Sequence, residues 1–311
     1  MILSVVVPCF NEELVLPETS KRLGEVLNEL INNNKISLGS HILFVDDGSS
    51  DGTWEIIENL ADDNPIYRGI KLSRNKGHQL ALLAGLHSAE GDIVISVDAD
   101  LQDDLNAIGE MIDEYHLGSD VVYGVRKSRQ KDTFFKRFSA EVYYRLLRFM
   151  GVDVIFNHAD YRLLSRRVIW SLKEYDEVNI FLRGIIPQIG YPFSVVYYDR
   201  NERFAGESKY PLRKMLAFAW EGITSFSIVP LRLITVCGVI IFSISLLISF
   251  WALWIRIFTD QAIPGWTSTV IPIYFLGGVQ MLGIGVIGEY LSKMFLETKH
   301  RPRYFIEKII K

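Results

Sequence analysis

Asp92-Ile93-Val94-Ile95-Ser96-Val97-Asp98-Ala99-Asp100-Leu101-Gln102 is a short β-branched run, preceded by Gly91, that ends in two carboxylates separated by Ala99. The run reads as a buried strand. Asp98 and Asp100 therefore stand where a strand ends, and a side-chain amide, Gln102, follows. In open α/β sheets, ligands bind outside the carboxyl ends of strands. Hard oxygen donors at such a point suit Mg²⁺ or Mn²⁺, which takes few protein ligands and completes its shell with substrate phosphates. The same residues also suit a helix cap and a turn. What surrounds them decides between the two.

Working towards the N-terminus, the pattern repeats. Ile2 to Pro8 reads as a first strand, and Cys9-Phe10-Asn11-Glu12-Glu13 as its turn. Leu14 to Asn32 carries apolar residues at helical spacing. A strand from His41 to Val45 ends in Asp46-Asp47-Gly48-Ser49-Ser50-Asp51-Gly52-Thr53, and a helix through Trp54, Ile57 and Leu60 follows. Ile66 to Leu72 is a strand ending at Ser73-Arg74-Asn75-Lys76-Gly77, and Gln79 to Ser88 is a helix. Alternating strands and helices predict a mostly parallel, Rossmann-like sheet covered on both faces. The polar clusters Asn11/Glu12, Asp46/Asp47, Arg74/Lys76 and Asp98/Asp100 then converge on one sheet edge. Each cluster alone is ordinary turn chemistry; together they describe a nucleotide crevice.

Composition narrows the chemistry. The chain has 311 residues and a net charge of −4, so it has no basic footprint for nucleic acid. Its two cysteines, Cys9 and Cys237, lie in unlike surroundings and predict no disulfide, which fits a reducing compartment. The apolar start is broken by Pro8, so no cleavable leader is expected. The first strand-turn-helix lacks G-x-G-x-x-G, and no G-x-x-x-x-G-K-[ST] occurs, which argues against a dinucleotide-binding dehydrogenase and a P-loop NTPase.

The motifs Val5-Val6-Val7-Pro8-Cys9-Phe10-Asn11-Glu12-Glu13, Val45-Asp46-Asp47-Gly48-Ser49-Ser50-Asp51-Gly52-Thr53 and Asp98-Ala99-Asp100-Leu101-Gln102 resemble the inverting family 2 glycosyltransferases of GT-A fold. The resemblance implies that Pro8, Phe10, Glu12, Val45 and Asp47 hold the base and ribose. It gives the ribose, metal and diphosphate to Asp98, Asp100 and Gln102, with Asp100 and Gln102 on the metal. Lys76 and Ala99, on the same turns, are placed with the nucleotide. Asn157-His158-Ala159-Asp160-Tyr161-Arg162-Leu163-Leu164 is similar to the family segment carrying the catalytic aspartate, with Ala159 and Tyr161 replacing glycine and phenylalanine. Asp160 is then the candidate base, or an orienter of acceptor or metal, since a phosphate acceptor is already an anion near neutrality. A salt bridge to Arg162 or Arg166 is its alternative role. Arg126 and Arg137 are candidate phosphate contacts, while Lys136 fits a solvated helix face equally well. Arg200 to Tyr210 resembles the family's R-x-x-G-E-S-K element, which implies a loop using Arg203 and Lys209 to close over donor diphosphate and acceptor phosphate.

The last third is apolar, and it raises the mean hydropathy to +0.17. Residues 211–231 have the spacing of an amphipathic interfacial helix. Residues 232–256 and 269–292 are expected to form a transmembrane hairpin joined by the short polar loop 257–268, with 293–311 as a basic tail. Lys and Arg flank both outer ends, so the positive-inside rule places residues 1–210, the catalytic domain, and the tail in the cytoplasm. Trp220 to Ser227, Gly288-Glu289-Tyr290 and Lys299 to Tyr304 resemble the two-span bactoprenol glucosyltransferases. That resemblance covers essentially the whole chain and implies a nucleotide-sugar donor, a polyprenyl-phosphate acceptor and a bacterial inner-membrane location. UDP-glucose is the expected donor; GDP-mannose, UDP-N-acetylglucosamine and a UDP-aminoarabinose derivative are the rivals. The resemblance also points to a homo-oligomer. Two spans are few for a flippase of lipid-linked sugar, and a flippase would leave the nucleotide motifs unexplained.

Overall fold

The computed structural model describes residues 1–127, 158–177, 180–199, 229–258 and 265–311. Lys136, Arg137, Arg203, Lys209 and most of the expected interfacial helix lie outside the described residues. The described residues fall into two compact units: 1–127, 158–177, 180–199 and 300–311 form one, and 229–258 with 265–299 the other.

In the first unit the chain runs β1 (Leu3–Cys9), α1 (Leu16–Asn32), β2 (His41–Asp46), α2 (Thr53–Asp63), β3 (Tyr67–Leu72), α3 (His78–Ser88), β4 (Ile93–Ser96), α4 (Ala107–His116) and β5 (Val121–Arg126). It continues through β6 (His158–Ser165), α5 (Arg166–Lys173), α6 (Leu182–Gln188) and β7 (Phe193–Tyr198), and closes with β8 (Ile306–Ile310). The strands form one sheet in the order β7-β5-β6-β4-β1-β2-β3-β8. β1 pairs in parallel with both β2 and β4, and β2 with β3. Every residue of β1, β2 and β4 is buried, which is why these strands are continuous apolar runs without alternation.

Helices cover both faces. α1 begins with a proline in its first turn and turns Leu16, Leu23, Leu27 and Leu30 into the core. On the other face α3 buries every residue from Ala81 to Leu86. Its Gly85 lies directly against β1 and β2: an added Cβ would fall 2.9 Å from Val45 Cγ2 and closer still to Val6 Cγ1. Gly85→Ala is expected to cost about 1–3 kcal/mol by overpacking. Thermal melting of the full chain in detergent measures this, and an unshifted midpoint would mean that α3 can move off the sheet.

The sheet departs from the sequence reading in its second half. β6 runs antiparallel between β4 and β5, so the Asp160 segment lies beside the Asp98 strand. The expected basic tail is a second correction. The last helix of the chain continues to Thr298, and β8 then pairs antiparallel with β3. Two lysines read as tail charges are paired on the first unit, Lys308 with Glu58 at 2.5 Å and Lys311 with Glu90 at 2.6 Å.

The second unit holds two long helices, α7 (Val229–Phe258) and α8 (Trp266–Thr298), within which the two expected spans fall. Among the described residues, one stretch, Phe275–Thr298, is long and apolar enough to cross a membrane by length and composition. Gly283 permits close approach of the pair, since a Cβ there would meet Ile234 at 3.4 Å. At Gly277, Gly278, Gly285 and Gly288 an added Cβ meets no described atom within 4 Å, so these glycines are not at that contact.

Candidate active site

The strand order reverses at β1, with β2 on one side and β4 on the other. The crevice therefore opens beyond the carboxyl ends of β1 and β4. Backbone and side-chain bonds lock its loops together. Asn11, left-handed at φ 55, accepts the Ser50 N–H at 2.9 Å and donates its own N–H to Ser49 Oγ at 3.0 Å. The Glu12 N–H donates to Thr53 Oγ1 at 2.9 Å. Phe10 is exposed at this rim, whereas Pro8 and Val45 are buried register partners in β1 and β2.

Asp47 ties a third loop to these two. Its buried carboxylate accepts the Lys76 N–H at 2.7 Å and the Gly77 N–H at 2.8 Å. Gly48 makes this approach possible: at φ +69, a Cβ would lie 2.7 Å from the backbone of Arg74 and Asn75. Asp47→Ala would strand two amides, at about 1–3 kcal/mol each. Donor KM is expected to rise while turnover at saturating donor holds. A fall in turnover at unchanged KM would instead place Asp47 with the reacting groups.

At the end of β4, Ala99 is buried and its carbonyl accepts Thr19 Oγ1 at 2.7 Å, which pins the turn to α1. Leu101 is buried in a left-handed conformation at φ 57. Such strain costs on the order of 1–3 kcal/mol and clusters at functional sites. Asp100 accepts the Gln102 N–H at 3.2 Å. Arg126 donates to the Tyr198 hydroxyl at 3.3 Å and lies 3.6 Å from Asp103.

The Asp160 carboxylate is held on several sides. Arg162, fully buried, donates from Nη2 at 2.5 Å, and Arg183 from α6 grips both oxygens at 3.2 and 2.9 Å. Arg166, the other candidate partner, goes instead to the carbonyls of Ala89 and Gly91. His78, the first residue of α3, joins the two acidic positions, with Nε2 3.5 Å from Asp98 and 3.7 Å from Asp160. Burial alone would raise the Asp160 carboxyl. The Arg183 and Arg162 guanidiniums outweigh it and hold the group well below the usual carboxylate range. Asp98 moves the other way. Burial pushes it up to about 6; His78 opposes the rise, and Asp103, Asp160 and Asp100 add to it.

A crevice so rich in carboxylates favours a bound dication. Among the described residues no group of three His, Cys, Asp or Glu forms a closed cage. An open carboxylate edge fits a cation that takes its remaining ligands from substrate phosphate.

Sequence reasoning placed Asp98, Asp100 and Asp160 on the crevice and missed Arg183 and His78. His78 had a local signal, since it follows the flagged Lys76-Gly77 turn at a helix start. Arg183 had none, because α6 meets Asp160 only in the folded chain.

The family model described as Glycosyl transferase family 2 matches residues 4–173, which takes in β1 to β6 and Asp160. The chain belongs to glycosyltransferase family 2. Relatives extend the likeness along the whole chain. The glycosyltransferase YkoT of Bacillus subtilis (strain 168) is 51% identical over 98% of this chain and 91% of its own length. The bactoprenol glucosyl transferase of Shigella phage SfX is 41% identical over 99% of each chain. The prophage bactoprenol glucosyl transferase homolog of Escherichia coli (strain K12) is 38% identical over 100% of each. The family 2 region ends before Arg183, so this glycosyltransferase completes its crevice with residues from beyond the family match.

Proposed function

We propose that this enzyme transfers a hexose from a nucleotide sugar, UDP-glucose in the preferred reading, to a polyprenyl phosphate at the cytoplasmic membrane face. One observation carries the reading: a crevice in which His78 joins Asp98 to Asp160 belongs to a chain aligned over nearly its full length, both long helices included, with relatives named bactoprenol glucosyl transferase. Bactoprenol is a polyprenol, and an acceptor of that kind keeps its reactive phosphate at the bilayer surface. Helices α7 and α8 as an antiparallel hairpin, with basic flanks inside, would hold the crevice there.

In this scheme a phosphate oxygen of the lipid attacks the anomeric carbon as the bond to UDP breaks, which inverts the configuration. The acceptor is already ionised, so Asp160 has no proton to remove. A carboxylate held so far down is also a weak proton acceptor. Asp160 instead fixes Arg183 and His78 at the crevice. Phe10, Glu12, Asp47, Lys76, Asp98 and the buried Pro8, Val45 and Ala99 shape the base and ribose site. Arg126, with Arg137, Arg203 and Lys209, meets phosphate. Asp100 and Gln102 would hold Mg²⁺ or Mn²⁺, which supplies charge neutralisation for the diphosphate when bound.

The test incubates the purified full chain with undecaprenyl phosphate and radiolabelled UDP-glucose, GDP-mannose, UDP-N-acetylglucosamine and a UDP-aminoarabinose derivative. Label from UDP-glucose in the lipid fraction, dependent on added lipid phosphate, is the expected result. Label from another donor changes the sugar and leaves the reaction intact, whereas no lipid-linked label from any donor overturns the reading.

A further inference from the structure

Away from the crevice, three parts of the first unit enclose a cavity of about 460 Å³. The end of α3 supplies His87, the end of α5 and the residues just after it supply Lys173 and Asp176, and residues 300–304, between α8 and β8, supply the rest. That connector is firmly held. Arg303, its side chain 12% exposed, donates to the Tyr175 carbonyl and lies 3.6 Å from Asp176. The Tyr304 hydroxyl meets His87 Nδ1 at 3.3 Å, and the Phe305 carbonyl accepts the Ser73 N–H at 3.0 Å.

The charge of the lining is one-sided. Lys173, Arg301 and Arg303 bring cations, and the one lining carboxylate, Asp176, is 96% exposed to solvent. Burial, then the nearby Lys173 and Arg303, push the His87 imidazole down to about 4, so it is neutral. The hydrogen bond between the Tyr304 hydroxyl and Nδ1 takes its direction from the tautomer; in the tautomer where the hydroxyl donates, the hydrogen sits on Nε2, and among the described residues that buried atom has no hydrogen-bond partner. A buried donor without an acceptor is costly, and an anionic oxygen in the cavity would satisfy it. His87 and His78 stand at opposite ends of α3, so this cavity is separate from the glycosyl-transfer crevice.

We infer that this cavity is a second, non-catalytic anion site, built for a phosphate group by Lys173, Arg301 and the His87 Nε2–H. The phosphate has two sources, the headgroup of an anionic lipid or free phosphate. The site itself does not depend on the proposed transfer reaction. Only the lipid source rests on reading α8 as a membrane span, because residues 300–304 directly follow that helix.

Native mass spectrometry of the detergent-solubilised full chain tests the lipid source with phosphatidylglycerol, using phosphatidylcholine as control. Titration with inorganic phosphate tests the free source. For a lipid ligand, phosphatidylglycerol retention falls about tenfold or more in Lys173→Gln/Arg301→Gln and returns in Lys173→Arg/Arg301→Lys. For a free ligand, the same loss and rescue appear with inorganic phosphate and not with lipid. Both side chains are exposed, so melting and transfer in detergent are expected to stay within about twofold of the parent. If neither phosphatidylglycerol nor inorganic phosphate distinguishes the glutamine variant from the parent, the site does not exist.

Discussion

Asp100→Ala is expected to reduce transfer by about a thousandfold or more, equivalent to ~4 kcal/mol of transition-state stabilisation. Folding and insertion into membrane should be unaffected. The asymmetry follows from where Asp100 sits. The turn around it is held by other groups: Ala99 is pinned to α1 through Thr19, and Leu101 is buried beneath the turn. Asp100 itself is only half-buried and accepts the N–H of Gln102 within the turn. Removing its carboxylate therefore costs the fold little, on the order of 0.5 kcal/mol. In the proposed reaction the crevice, by contrast, loses a hard oxygen donor for the metal on the leaving diphosphate. Asp100→Asn separates charge from shape, since the amide oxygen can still accept from Gln102 while the negative charge is gone. It should fall nearly as far as Asp100→Ala. Initial rates with labelled UDP-glucose, beside Mn²⁺ affinity read by electron paramagnetic resonance, measure both effects. A variant that turns over within about tenfold of the parent would leave Asp100 no role in the chemistry.

The legible and illegible parts of the chain differ in a physical way. β1, β2 and β4 were readable because each is buried on both faces and closed by a polar turn, so apolar run and loop alternate in plain view. The crevice residues on those turns were readable for the same reason. β6 hides its character: His158 to Ser165 carries Asp160 and a fully buried Arg162, and only the neighbouring β4 and β5 make it a strand. β8 is hidden differently. Its five residues are mostly exposed, and Lys308 within it and Lys311 just after it look like a solvated tail until Glu58 and Glu90 are seen opposite them. Asp47 was read as a nucleotide contact, yet its acceptors go to Lys76 and Gly77, residues about thirty positions away that no local pattern connects to it. What the chain kept from view was long-range pairing of charged groups.

Asp160→Asn tests that pairing directly, and it should weaken both the fold and the reaction. Arg162 is fully buried, its Nε and Nη1 make no hydrogen bond among the described residues, and Nη2 is committed to Asp160. Neutralising Asp160 leaves that guanidinium without its counter-charge, a loss of about 3–5 kcal/mol for a buried pair. The sign with pH follows from the depressed carboxyl. In the unfolded chain Asp160 titrates near its ordinary value of 3.8, and in the folded chain well below it. Its contribution is therefore complete above 3.8 and is lost as the pH falls towards the folded value. The stability gap between parent and variant should be flat from about pH 5 to 8 and narrow in stronger acid. Turnover should fall more than donor affinity, because Arg183 and His78 lose the carboxylate that aims them while the loops of β1 and β2 are untouched. The pH–rate profile of the parent should carry no limb from Asp160 in the neutral range. A base would behave otherwise: its loss would flatten a limb present in the parent and leave stability nearly unchanged. Unfolding midpoints across that pH range, set beside kcat and donor Kd for both proteins, decide between a carboxylate that takes a proton and one that holds two arginines in place.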